Sequence, residues 1–134
     1  MNTKTKITVV LAVNLMLVAV AQADVVVIGN LAAATMSKDE VSQFFLGKNQ
    51  AMKPVDRSSS DPIKAQFYQK LSGQDLSQVK ATWARLVFTG KASAPKELPD
   101  AAAVKKAVAA DPKAIGYIDK SEVDATVKVL LTLN

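Results

Sequence analysis

Arg57, Ser58, Ser59, Ser60 and Asp61 stand in a row between Pro54-Val55-Asp56, which reads as the end of a strand, and Pro62-Ile63-Lys64-Ala65-Gln66-Phe67, which reads as the first turns of a helix. A guanidinium, three hydroxyls and the unpaired N–H groups of a helix start, gathered in one turn, are the donors that hold a small oxyanion. The helix dipole adds partial positive charge at the same end. The residues also have a purely local reading. Arg57 can pair with Asp56, with Asp61 or with a helix C-terminus, and serines in a turn serve as capping and turn residues through their own backbone hydrogen bonds.

Other chemistry is excluded by what the chain lacks. The 134 residues contain no histidine and no cysteine. Ser-His-Asp and Cys-His nucleophilic machinery cannot be assembled, and zinc would be left with carboxylates alone. Nothing pairs a nucleophile with a base, so no enzyme is expected, and no motif implies a cofactor. Asp119, Glu122 and Asp124 cluster near a turn, but without the glycine and ligand spacing of a calcium loop they read as surface, with no metal expected.

The segment 1–23 carries Lys4 and Lys6, then an apolar run from Ile7 to Val20 broken by Thr8 and Asn14, then Ala21-Gln22-Ala23. This is the pattern of a secretory signal with its cleavage site. The apolar run is shorter than the roughly 20 residues of a spanning helix. Cleavage leaves 24–134 as one domain, periplasmic or secreted and free of the membrane. In that mature chain 15 Lys and Arg face 12 Asp and Glu, a net charge of +3. Lys38, Lys48, Lys53, Lys64, Lys70 and Lys80 are scattered, as on a solvated surface, and no basic run with interleaved aromatics points to nucleic acid.

Several elements must position the turn. Val25 to Ile28 is a continuous β-branched run, as in a strand buried on both faces. Ser37 and Glu40 form a capping box for a helix through Val41, Phe44 and Phe45, closed by Gly47. A short strand over 51–56 leads into the turn. Ser60 or Asp61 caps the next helix, with Pro62 in its first turn and Ile63, Phe67 and Leu71 on its buried face. Asp75 and Gln78 open another, whose stripe is Leu76, Val79, Trp83, Leu86 and Val87, Trp83 being read as core. After a loop with a short strand near Lys96 to Leu98, Asp100 caps an alanine-rich helix. Strands follow at 114–118 and, beyond a polar turn, at 126–131. The alternation predicts a three-layer α/β/α lobe on a mostly parallel sheet of four to five strands, the last strand the candidate for antiparallel pairing.

Taken in order, FFLGKNQ (44–50), PVDRSSSDPIKAQF (54–67), WARLVFTG (83–90) and DPKAIGYI (111–118) resemble the phosphate-type substrate-binding proteins of bacterial ABC importers, across nearly all of 24–134. The resemblance implies a periplasmic-binding-protein type II-like fold, here with room for one lobe. It implies binding of phosphate or a related oxyanion by Arg57, Ser58, Ser59, Ser60 and Asp61, and an ABC permease as partner. Where those proteins carry Ser-Gly-Thr, aligning Arg57 and Phe67 puts Asp61-Pro62-Ile63. The glycine that allows close backbone approach is missing, Pro62 has no N–H, and Asp61 repels a dianion unless it caps the helix or takes the ligand's proton. The alternative is an envelope protein-interaction domain, or a homo-oligomer, that keeps the lobe and not the ligand.

Overall fold

The computed structural model describes residues 24–134, so the expected signal segment 1–23 lies outside the described residues. The chain runs β1 (Val25–Gly29), α1 (Lys38–Phe45), β2 (Lys53–Arg57), α2 (Pro62–Ser72), α3 (Leu76–Phe88), β3 (Lys96–Leu98), α4 (Ala101–Ala110), β4 (Ala114–Asp119) and β5 (Lys128–Leu133). One five-stranded sheet in the order β3-β2-β4-β1-β5 forms the middle layer.

Strand β1 alternates perfectly between two cores. Val25 and Val27 join Ile115 and Tyr117 beneath α1, α2 and α3, while Val26 and Ile28 join Ile118 beneath Val104 and Val108 of α4. A run without a polar residue is what such a two-faced position demands. The α/β/α layering expected from sequence is therefore present, with helices on both faces of the sheet.

Strand direction departs from the expectation. Strands β2, β3 and β4 pair in parallel, but β1 is antiparallel to both β4 and β5. The reversed strand is thus the first, and β5 points the same way as β4. The polar stretch after β4 is not a hairpin turn. A 3-10 turn at Lys120–Glu122 is followed by a crossover in which Val123 and Val127 pack with the α4 core, carrying the chain past β1 to the far edge. The apolar β1 takes the interior position, and β5, with Lys128 and Thr132, takes the edge.

The local signals act as their chemistry requires. Ser37 with Glu40, and Asp75 with Gln78, form reciprocal capping boxes on α1 and α3. Asp61 is the N-cap of α2, Pro62 its first residue, and Gly73 closes it with φ of 67°, the left-handed conformation that glycine adopts without strain. Trp83 is core: its indole N–H donates to the Phe45 carbonyl at 3.0 Å. Three expected core positions differ. Leu76 and Leu86 are only partly buried and Val87 is half exposed, α3 packing on α2 and, through Trp83, on the end of α1.

Candidate functional site

Strand β2 ends on Asp56 and Arg57, the turn 58–60 reverses the chain, and α2 returns with Lys64 and Tyr68 facing back toward β2. Asp56, Arg57 and Lys64 are the charged side chains buried here, at 4%, 7% and 8% exposure. Burial of charge is expensive unless each group is paired and hydrogen-bonded, so the partners decide what the corner is for.

Asp56 is the hub. The Tyr68 hydroxyl donates to its Oδ2 at 2.7 Å, the Tyr117 hydroxyl donates to Oδ1, and the Arg57 backbone N–H also reaches Oδ1 at 2.8 Å. The Lys64 ammonium lies 3.7 Å from Oδ2, with Glu97 of β3 as its closer partner at 3.0 Å. Burial, and then the Asp56 carboxylate, push both tyrosine hydroxyls well above their ordinary ionisation range, so both remain neutral donors. Beneath them Phe67 stacks on Tyr117 with ring centroids 3.8 Å apart, and Phe45 meets Phe67 edge-on at 4.7 Å. The rings fix the hydroxyls, the hydroxyls fix Asp56, and Asp56 anchors the end of β2 from which Arg57 projects.

The five residues read from sequence as an anion site do come together. The Arg57 Nη2 donates to Asp61 Oδ2 at 2.7 Å, and the Ile63 N–H reaches Asp61 Oδ1 at 3.3 Å. The Ser58 and Ser60 hydroxyls share a hydrogen bond at 3.0 Å, and Lys64 Nζ approaches Ser59 Oγ at 3.5 Å. The Asp61 N–H is taken by the Ser58 carbonyl at 2.9 Å. The local pairing of Arg57 with Asp61 is thus realised. Yet Nε and Nη1 of the same guanidinium are buried and meet no hydrogen-bond partner among the described residues. Nearly all buried polar groups are paired, so two orphan donors on one buried cation are unusual.

Sequence reasoning missed four members of this corner. Lys64 reads from the sequence as a surface lysine and is buried instead, held between Asp56, Glu97 and Ser59. Asp56, Tyr68 and Tyr117 carried no signal as a set, since they sit on three different elements. A hint was present: Asp56, Lys64 and Tyr68 recur at spacings of eight and four, so Lys64 and Tyr68 lie one above the other on a face of α2 that turns toward β2.

Beside the corner an open cleft of about 880 Å³ is lined by Trp83, Val87 and Phe88 of α3 and by Ser59, Lys64 and Glu97, while Arg57, Ser58, Ser60 and Asp61 lie outside its lining. Phe88 is 92% exposed. The acidic cluster is elsewhere and at the surface. Asp119 caps the 3-10 turn. Asp124 is held down to about 2 by the Thr126 hydroxyl and N–H and by Lys105 at 3.0 Å.

Five strands with helices on both faces and a donor-rich turn at the start of α2 define a three-layer α/β/α lobe. Solved structures share it. The chain superposes on an ABC-type phosphate transport receptor from Vibrio cholerae with a TM-score of 0.62 at 15% identity, over 81% of this chain and 46% of that one. It superposes equally on a protein assigned as a phosphate ABC transporter substrate-binding protein, with bound phosphate, from Clostridium perfringens: TM-score 0.61, 16% identity, 81% of this chain and 44% of that one. The chain spans less than half the length of either. At these identities the likeness is one of fold, a fold that both neighbours use for binding proteins rather than enzymes. No protein-family model matches the sequence, and no curated protein sequence matches it. Among the described residues no helix is long and apolar enough to cross a membrane.

Proposed function

We propose that the protein is a solute-binding module of the periplasm or the extracellular space, exported by its 1–23 segment, that takes phosphate or a related oxyanion weakly at Arg57, Ser58, Ser59, Ser60 and Asp61. The observation that carries this is the Arg57 guanidinium, buried at the N-terminal end of α2 with two donor nitrogens, Nε and Nη1, unpartnered among the described residues. An oxyanion supplies acceptors that the protein does not, in a place where little water screens the attraction. Affinity is low because the turn is open and the described residues do not enclose a ligand there. Calorimetric titration of the mature protein with phosphate tests it: saturable binding lost in Arg57→Ala is expected, and silence up to millimolar phosphate sinks it. An ABC permease is the partner this role would serve.

A second reading has its own observation. Val87 and Phe88 present an apolar strip on α3, which suits an envelope protein-interaction domain or a homo-oligomer better than a free solute receptor. Light scattering coupled to size exclusion decides between them, a strictly monomeric protein that takes up phosphate counting against this alternative.

A further inference from the structure

Asp61 stands where an oxyanion would. It bridges the two kinds of donor that such a ligand uses, a guanidinium N–H at 2.7 Å and a helix N-terminal N–H at 3.3 Å. Pro62 contributes no N–H, and the Lys64 N–H is committed to the Asp61 carbonyl at 3.1 Å, so Ile63 supplies the first turn's contact to the carboxylate. The carboxylate meets the guanidinium through Nη2 alone and leaves Nε and Nη1 without partners. A planar two-oxygen group on a short tether satisfies one of the three nitrogens. A tetrahedral anion presents oxygens in more directions and is not held by a tether.

From this we infer that Asp61 is a tethered competitor for its own site: an oxyanion binds by displacing the Asp61 carboxylate from Arg57, and Asp61 sets how weak that binding is. The inference rests on the oxyanion reading of the turn. A tethered anion acts at an effective concentration far above that of a dilute solute, and it needs no further ordering to stay in place. It also explains how a buried arginine is tolerated without ligand, since the ion pair offsets a charge that would otherwise be unpaired. The Ile63 N–H is held by Oδ1 and Arg57 by Oδ2, so the oxygen displaced is not the one that caps α2. Freed from Arg57, Asp61 is already a quarter exposed and can turn to solvent.

The test is Asp61→Asn, because asparagine caps a helix as well as aspartate while removing the charge and replacing the oxygen that faces Arg57 by an NH2 group. Asp61→Ser is a second variant with an equally good cap. Calorimetric titrations use the mature chain with inorganic phosphate and, separately, with sulfate. Expected is a dissociation constant at least about tenfold lower than wild type for both anions, since charge-assisted hydrogen bonds become available and one like charge is gone. Asp100→Asn makes the same change at the N-cap of α4, where the carboxylate accepts from the Ala103 N–H at 2.8 Å, and should leave both affinities within about twofold of wild type, exposed charge changes being weak.

If wild type binds phosphate and neither Asp61 variant binds it more tightly, the inference fails while the oxyanion reading stands. If the variants lose phosphate but gain sulfate, Asp61 accepts the ligand's proton and is no competitor, which also overturns the inference. If neither wild type nor any variant binds either anion, the oxyanion reading itself falls and takes the inference with it. Binding by the variants alone, with wild type silent, supports both.

Discussion

Replacing Asp56 by Asn should destabilise the protein far more than an ordinary polar substitution. The carboxylate is 4% exposed and accepts from the Tyr68 hydroxyl, the Tyr117 hydroxyl and the Arg57 N–H, with Lys64 at 3.7 Å. An amide of the same shape keeps one acceptor oxygen for three donors and turns its own NH2 toward hydroxyls already committed. Hydrogen bonds to a charged acceptor contribute about 1.5–3 kcal/mol each against about 1 for neutral ones, so neutralising the hub loses about 1 kcal/mol per tyrosine bond. Lys64 retains Glu97, which spares part of the larger penalty for an unpaired buried charge. The sum is a loss of about 2–4 kcal/mol, a large share of the 5–15 kcal/mol that holds a typical domain. Urea unfolding followed by the emission of Trp83, the only tryptophan, reads it directly. A loss below about 1 kcal/mol would refute the view that Asp56 organises this corner, since that is the range of a simple polar exchange.

Two further outcomes follow from the same packing. Tyr68 and Tyr117 are the only tyrosines, and both hold their protons above the value of about 10 that an unfolded chain shows. Their contribution to stability is therefore complete below pH 10 and falls as pH climbs past it. Ultraviolet titration should show no tyrosinate in the folded protein, with both hydroxyls ionising together as it unfolds; one tyrosine ionising early, with the fold intact, would contradict the hydrogen-bonded hub. Gly116 of β4 lies under α4, where an added Cβ would meet Val104 Cγ1 at 2.5 Å and Val55 Cγ2 at 3.0 Å. Gly116→Ala should cost about 1–3 kcal/mol by overpacking. Unfolding of the double-mutant cycle with Val104→Ala checks it: the alanine should be milder when Val104 has been trimmed.

What could be read from the residues was whatever is encoded within one turn of chain. Ser37 with Glu40, Asp75 with Gln78, and Pro62 and Gly73 at the two ends of α2 are local devices, and each acts where its spacing places it. The stripe of Ile63, Phe67 and Leu71 gave the buried face of α2, and Arg57 to Asp61 gave the turn. Lys64 and Tyr68 escaped because a second buried face on α2 exists only once Asp56 of β2 lies opposite, and that pairing depends on tertiary structure. Val87 failed the other way. Its spacing is that of a core residue, but the end of α3 has no sheet beneath it. The reversal of β1 is likewise invisible locally, since Val25 to Ile28 reads the same in either direction and only its placement between β4 and β5 sets the pairing.

The ion pairs of this corner also bear on affinity. Two cations, Arg57 and Lys64, face three carboxylates, Asp56, Asp61 and Glu97. The net charge around the turn is therefore −1, although the chain as a whole carries +5. Under the proposed role, an arriving phosphate would meet strong local donors inside a mildly repulsive field, whose range in salt is about 8 Å. Of the three carboxylates, Asp56 is locked by two tyrosines and Glu97 is matched to Lys64, so Asp61 is the one whose removal both neutralises the corner and frees the arginine. In a two-lobed clamp, desolvation comes from closure around the ligand. Here Arg57 is already desolvated by its own lobe, so the electrostatic term does not wait on a partner. What an open turn lacks is enclosure, which limits residence time more than it limits recognition.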